Sequence, residues 1–316
     1  MRNGLRAKVA AAFLAVYIIW GSTYLAIRFV IETIPPFFMA GTRFLIAGLA
    51  LYAVARFRSG SHATKFHWRS AFVIGGLMLL GGHGAVIWAE QWVPSGLTSL
   101  LIATVPLWMV LVDSVRNRAK PGLAVVVALA LGFAGVALMV GGVESLGGSQ
   151  VDLAGAAILV FGAFLWANGS LYSRSARLPS SQLLATALEM TAGGLLLLLA
   201  SLVLGEWTMV RFDQVSDRSL FSWLYLIVFG ALVAFTCYVW LLKVSTPSRV
   251  STYAYVNPVV AMLLGATLAE ETLTIQNVLA AAIILTSVVI TTTHGTKSPV
   301  VRQTEKRNDQ QDSNCA

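Results

Sequence analysis

Several ionisable side chains lie inside, or at the ends of, long apolar stretches of this 316-residue chain, and five are candidates for chemistry: Arg43, His83, Glu90, Glu189 and Lys243. His83 and Glu90 are seven residues apart, so on a helix they share one face. Histidine titrates near neutral pH, and a carboxyl among apolar residues usually faces a cavity or a partner. The pair is therefore a candidate site for proton coupling or gating. In the alternative, Glu90 faces a water-filled vestibule and His83 is a hydrogen-bonded core residue.

Arg43 and Glu189 carry opposite charges at positions 146 residues apart, each near the start of an apolar stretch. This arrangement predicts gating or structural ion pairs, each with its own partner. Lys243 stands at the end of another stretch. It could hold an anionic group of a substrate, or its long side chain could simply reach the membrane surface.

A second set of residues places aromatic rings beside small polar groups within the apolar stretches. The set is Trp20, Ser22, Tyr24, Trp166, Asn168, Tyr255 and Asn257. Apolar walls with a few hydrogen-bonding groups suit a small amphipathic ligand, so we predict that these residues line a substrate cavity. In the alternative, the polar members join neighbouring helices by hydrogen bonds. Tyr253, Tyr255 and Asn257 are spaced by two, so they cannot all share one face of a regular helix.

The composition is that of a polytopic membrane protein. Hydrophobic residues make up 57% of the chain and charged residues 11%, with a mean hydropathy of +0.76. Soluble proteins carry about 25% charged residues. The net charge of +8 does not indicate nucleic-acid binding, because the positive side chains are divided among short connections. Cys237 and Cys315 predict neither a disulfide framework nor a metal site.

We expect an all-α integral membrane protein with about ten transmembrane helices. The apolar segments are 9–30, 37–55, 71–92, 95–112, 123–142, 153–173, 183–204, 220–242, 248–268 and 275–293. Two of them contain a proline, Pro106 and Pro258, which removes a backbone hydrogen bond that hydrocarbon cannot replace. These two segments should therefore be covered by protein or line a wet cavity. Residues 297–316 are polar and predict a disordered cytoplasmic tail.

The positive charges alternate between connections. Of the 22 Lys and Arg residues, 18 lie before the first segment, after the tenth, or in every second connection; the opposite connections hold Arg211 and Arg218, and Arg28 and Arg43 lie inside segments. The positive-inside rule then places both termini in the cytoplasm.

The two halves of the chain match each other. Trp20 and Trp166, like Gly48 and Gly194, are 146 residues apart, and after a longer connection the interval becomes 153, as for Glu90 and Lys243. The pattern predicts a five-helix repeat at 1–142 and a second at 143–296. Five is an odd number, so the second repeat would be inverted in the membrane, with a binding site near the midplane.

Four sequence strings resemble the EamA family of the drug/metabolite transporter superfamily, and the YedA-type exporters among its members. They are Tyr-Ile-Ile-Trp-Gly-Ser-Thr-Tyr at 17–24, Ala-Gly-Thr-Arg-Phe at 40–44, Val-Pro-Ser-Gly at 93–96 and Tyr-Ala-Tyr-Val-Asn-Pro-Val-Val at 253–260. A pair of glutamates at 270–271 follows the last string. The resemblance implies ten helices in two inverted repeats, a bacterial inner-membrane location and outward transport of small organic compounds.

The favoured function is a secondary-active exporter of small metabolites, amino-acid-like compounds or drugs that works by alternating access, with protons as the candidate coupling ion. A membrane-embedded lipid-modifying enzyme and a non-transporting scaffold are the alternatives. We expect no catalytic residues, no cofactor and no metal, and as partners a small-molecule substrate and the bilayer. Small residues such as Gly132, Gly135 and Ala281 indicate close helix packing, within one chain or between the subunits of a homodimer.

Overall fold

The computed structural model describes residues 2–59, 62–118, 122–141, 152–245, 250 and 252–294. Over these residues the chain forms helices and turns, without any strand. The predicted tail at 297–316 and the predicted start of the ninth segment near 248 lie outside the described residues, as does the side chain of Lys243.

Ten long helices make up most of the described chain, and each corresponds to one predicted apolar segment. They are α1 (2–30), α2 (Pro36–Ser59), α3 (Lys65–Ala89), α4 (Ser95–Arg116), α5 (Leu123–Gly141), α6 (Leu153–Ser173), α7 (Gln182–Val203), α8 (217–244), α9 (Tyr253–Leu268) and α10 (Ile275–His294). Helix α4 is interrupted by a turn at Ala103 and Thr104, and its second part begins at Val105, one residue before Pro106. Two short 3-10 turns, Glu206–Thr208 and Phe212–Gln214, connect α7 to α8.

Helices α1 to α8 are long and apolar enough to cross a bilayer. The two remaining helices are shorter in their apolar parts, Tyr253–Leu268 and Ile275–Thr291. At 1.5 Å per residue, α9 reaches about 24 Å, less than the ~30 Å of a hydrocarbon core. The all-α membrane class is therefore confirmed, and the full count of ten spans stays a prediction.

Three helices contain π-helical stretches, in which the backbone is wound more widely than in an α-helix. These stretches are Val16–Trp20 in α1, Gly75–His83 in α3 and Leu226–Phe235 in α8. Such stretches are rare and occur often at functional sites. The apolar composition of these segments did not predict them.

Glycines allow α2 and α7 to pack closely along their length. A Cβ atom at Gly48 would lie 2.6 Å from the backbone nitrogen of Thr191, and one at Gly194 would lie 2.6 Å from that of Leu45. No side chain fits at such distances, so both positions require glycine. As residue numbers rise along α2 they fall along α7, and the two helices run antiparallel.

Helices α5 and α10 pack against each other in a similar way. Gly135 lies against Ile284 of α10, where a Cβ atom would come within 2.7 Å of its Cγ1. Ser287 donates a hydrogen bond of 2.6 Å to the carbonyl of Ala128, and Gln276 Nε2 donates one of 2.6 Å to the carbonyl of Leu138. Packing within one chain thus accounts for the small residues of α5.

Two glutamates outside the long helices bind the N-termini of α2 and α4. Glu206 accepts hydrogen bonds from the backbone N–H groups of Phe37 and Phe38, at 3.2 and 2.7 Å. Glu271 accepts from the N–H and hydroxyl of Ser95, at 2.8 and 2.7 Å, and from the N–H of Gly96 at 3.0 Å. A carboxylate at a helix N-terminus satisfies unpaired donors and the helix dipole together. Both glutamates thereby fix the second half of the chain to helix starts in the first.

Candidate functional site

A small cavity of about 70 Å³ lies among seven of the ten helices, namely α1, α2, α3, α4, α6, α8 and α9. Helices α5, α7 and α10 do not contribute to its lining. All three π-helical stretches reach the cavity, through Trp20, His83 and Gly230. This volume holds a few water molecules and is well below the roughly 300 Å³ at which ligand pockets begin. Side chains must move before an organic compound can enter.

One side of the cavity is formed by the rings of Trp20, Trp166 and Tyr253, which pack on the buried ring of Tyr238. Trp20 lies at its centre, with ring centroids 6.1 Å from Trp166, 4.8 Å from Tyr238 and 5.4 Å from Tyr253. Tyr238 and Tyr253 are in turn 5.7 Å apart. Edge-on and tilted contacts of this kind stabilise aromatic clusters. We call the three lining rings, those of Trp20, Trp166 and Tyr253, the aromatic wall.

The indole nitrogen of Trp20 donates a hydrogen bond of 3.3 Å to the carbonyl of Gly230, which fixes its ring. Asn257, one helical turn after Tyr253, is 3% exposed. In the amide orientation that satisfies its surroundings, its nitrogen donates to the carbonyls of Tyr17 and Tyr253, at 3.1 and 3.3 Å. Pro258 is buried beside it. The polar part of α9 is thus covered by protein, as its proline requires.

Arg43 is a buried cation in the cavity lining, with only 3% of its surface exposed. Its Nη1 lies 3.4 Å from Nε2 of His83, and its guanidinium carbon lies 4.7 Å from the ring centroid of Phe44. An arginine only donates hydrogen bonds, so His83 accepts with an unprotonated Nε2. The Nε atom of Arg43 has no hydrogen-bond partner. Among the described residues no carboxylate pairs with Arg43.

The structure brings some of the predicted residues together at this cavity and leaves others apart. Its lining contains Trp20, Tyr24, Arg43, His83, Trp166 and Asn257. Ser22 instead bonds the hydroxyl of Tyr225 at 2.6 Å. Asn168 accepts from Arg116 at 2.9 Å, and Tyr255 lies outside the lining. The functional roles of all these residues stay predictions.

Glu90 lies one residue beyond α3, outside the cavity lining and fully buried. Neither of its carboxyl oxygens has a hydrogen-bond partner among the described residues. Nη1 of Arg28 donates to the backbone carbonyl of Glu90 at 2.8 Å, not to its side chain. Glu189 is buried in α7 and is likewise absent from the lining.

The sequence alone did not identify Gly230, Tyr238, Glu206 or Glu271 as parts of this arrangement. Tyr238 could have been found as a further aromatic residue in an apolar stretch. Gly230 carries no such signal, because its role is to leave room for Arg43. Within the described residues, no group of three His, Cys, Asp or Glu side chains could hold a metal ion.

Comparison with known proteins gives consistent matches along the chain. The profile of the EamA-like transporter family matches twice, at residues 7–141 and 153–293. The chain is 38% identical over 286 residues to the "Uncharacterized inner membrane transporter YedA" of Escherichia coli (strain K12), covering 89% of each chain. It is 25% identical over 293 residues to a "Probable amino-acid metabolite efflux pump" of the same strain, covering 88% of this chain and 92% of the relative.

The fold also resembles that of a solved protein. One crystal structure superposes with a TM-score of 0.64 and 19% sequence identity, over 92% of this chain and 99% of that one. At this identity the likeness supports the arrangement of helices alone.

Proposed function

The chain belongs to the EamA-like transporter family and is a multi-pass membrane transporter, and we propose that it exports small organic metabolites by alternating access. The observation that carries this proposal is the cavity, which is lined by α1 to α4 from the first half and by α6, α8 and α9 from the second. A site between two halves can be exposed to either face of the membrane when one half rocks against the other.

An inverted repeat is part of the proposal, and the contacts between α2 and α7 support it. Gly48 and Gly194 are equivalent at the interval of 146, as are Leu45 and Thr191. Gly48 contacts Thr191 while Gly194 contacts Leu45, so the same contact is made twice with the roles exchanged. Reciprocal contacts of this kind are expected for halves related by a two-fold axis, and they support the proposal. The antiparallel course of two equivalent helices supports inverted halves.

Other features agree with the same symmetry. The family profile matches each half separately. The π-helical stretches of α3 and α8, Gly75–His83 and Leu226–Phe235, lie at corresponding places in the two halves. Helix α3 packs on α6 and α7, and the corresponding helix α8 packs on α1 and α2. The alternating positive charges place both termini in the cytoplasm in this proposal.

Glu90 is the group that we assign to proton coupling. A buried carboxyl without a hydrogen-bond partner among the described residues is costly when ionised, so it holds a proton while buried and can release it when water reaches it. Arg28 and Glu271 lie close enough to interact with the charge of Glu90, so a proton gained or lost there changes the electrostatic interaction with both. Amino-acid-like substrates are included in the proposal because a relative carries that description.

Reconstituted protein tests the proposal. Purified chain in liposomes should move compounds from a mixed panel of metabolites faster than empty liposomes. Trp20→Ala, which removes the centre of the aromatic wall, should change the relative rates among substrates. Trp92→Ala is the matched control, because its side chain is 53% exposed and lies outside the cavity lining. Equal substrate profiles for the wild type and Trp20→Ala would refute the placement of the site, and no movement of any compound would refute transport.

A further inference from the structure

We infer that Arg43 binds the carboxylate of an amphipathic organic anion, whose apolar part lies against the aromatic wall. The inference rests on the proposed function and specifies the substrate class of the same cavity. Two turns of α2 separate Arg43 from the start of the helix at Pro36. This distance leaves the guanidinium inside the protein rather than at the membrane surface.

The contacts of Arg43 lack a counter-charge. Of its donor groups, Nη1 meets the neutral Nε2 of His83 at 3.4 Å, a long distance for a hydrogen bond, and Nε meets no acceptor. The face of the Phe44 ring compensates the cation only in part. A buried charge is normally paired, and within the described residues Arg43 is not. An anionic ligand would supply the missing partner.

The surroundings leave the guanidinium accessible from the cavity. A Cβ atom at Gly230 would lie 2.8 Å from Nη2, so glycine is the residue that keeps space beside this nitrogen. A planar guanidinium with free N–H groups matches the two oxygens of a carboxylate. The cavity and the aromatic wall then select for a compound with an apolar body attached to this group.

The charge of the lining decides between classes of ligand. The described lining residues include Arg43 but no Asp or Glu, so no carboxylate there would pair with an ammonium group, and the guanidinium would repel one. Of the compounds in the proposed function, the lining therefore favours carboxylates without an ammonium group over amino-acid-like ones. The same lining offers one permanent cation, which suits a monoanion better than the double charge of a phosphate monoester. We therefore assign the site to monocarboxylates.

Four compounds with one ring and different polar groups test the assignment: phenylacetate, phenylacetamide, phenethylamine and phenyl phosphate. Their affinities are measured by isothermal titration of the full chain in lipid nanodiscs. The wild type should bind phenylacetate at least about tenfold more tightly than the other three. Arg43→Gln should lose that advantage and bind phenylacetamide within about twofold of the wild type.

Stability separates a binding role from a structural one. Removing an unpaired buried charge should leave the thermal midpoint of Arg43→Gln, without ligand, at or above that of the wild type. If Arg43 held the fold through an ion pair, the midpoint would fall, and the inference would be overturned.

Gly230→Ala gives a second test that keeps the charge. Its methyl group would crowd Nη2, so phenylacetate should bind about fivefold more weakly. Gly76→Ala is the matched control, since its nearest contact would be an ordinary 3.6 Å and Gly76 is absent from the cavity lining. If both glycine substitutions weaken phenylacetate binding equally, the ligand does not lie beside Nη2 of Arg43 and the inference is overturned.

The outcomes also separate this inference from the proposed function. A wild type that binds the amide or the amine as well as the acid, or binds none of the four, overturns the inference. Transport of other compounds in the liposome assay would then leave the proposed function in place. If the titration fails in this way and the liposomes transport no compound, both the inference and the proposed function are refuted.

Discussion

Replacing Glu271 by glutamine should weaken the attachment of the α9–α10 connection to the start of α4. Glutamine has nearly the same shape as glutamate but carries no charge and replaces one oxygen by an NH₂ group. Its remaining oxygen can still accept from the N–H and hydroxyl of Ser95, whereas its NH₂ group would face the N–H of Gly96. Two charge-assisted bonds become neutral and the third is lost.

The magnitude follows from these three bonds. A hydrogen bond to a charged group contributes about 1.5–3 kcal/mol and a neutral one about 0.5–1.5 kcal/mol. Two weakened bonds and one lost bond, less some relaxation, amount to a loss of about 2–4 kcal/mol in the free energy of unfolding. The neighbouring Glu270 is exposed, so Glu270→Gln removes the same charge at a cost within about 0.5 kcal/mol.

The assay is equilibrium unfolding of the reconstituted protein, monitored by the solvent accessibility of the α4 region. A double-mutant cycle with Ser95→Ala should give a coupling energy of about 1 kcal/mol or more, since the two side chains share a bond of 2.7 Å. The reasoning fails if Glu271→Gln unfolds like Glu270→Gln, or if the cycle gives purely additive values.

Three further predictions follow from the fold and the proposed mechanism. Glu90→Gln should abolish the dependence of transport on a pH gradient while expression stays normal. Glu32→Gln, at the surface, should keep that dependence. A response to the gradient retained by Glu90→Gln would exclude Glu90 as the coupling group. Gly135→Ala should cost about 1–3 kcal/mol in unfolding experiments because its methyl group meets Ile284 at 2.7 Å, whereas Gly141→Ala, with no atom near, should cost little. Impermeant labelling of tags at each end should find both termini on the cytoplasmic face, and labelling from opposite faces would disprove the inverted repeat.

The helices were predictable because hydrocarbon offers no alternative to internal backbone hydrogen bonds. The segment expected at 153–173 is the helix Leu153–Ser173, and the one expected at 183–204 is displaced by a single residue, at Gln182–Val203. The π-helical stretch at Leu226–Phe235 was not predictable, since apolar side chains carry no signal of the backbone hydrogen-bond pattern.

The cavity lining was predictable by residue type and only in part by position. Trp20 and Asn257 face the cavity, whereas Ser22 and Asn168 bond neighbouring helices. A helix that is apolar all round shows no preferred face in its sequence, so its rotation depends on packing. The binding role proposed for Arg43 could not be predicted from the sequence for a different reason. Its sequence pattern suggests an ion pair, and the absence of a described carboxylate beside it is visible only in three dimensions.

The wide-wound backbone at Val16–Trp20, Gly75–His83 and Leu226–Phe235 has a mechanical consequence. At the border of such a stretch, an N–H group can exchange one carbonyl acceptor for the next without passing through an unbonded state, which lipid would penalise. Each exchange moves the border by one residue and turns the side chains on that side by a fraction of a helical turn. We therefore expect three of the helices that enclose the cavity to rearrange their inner faces in small steps, so that a space now fit for a few waters widens around a solute.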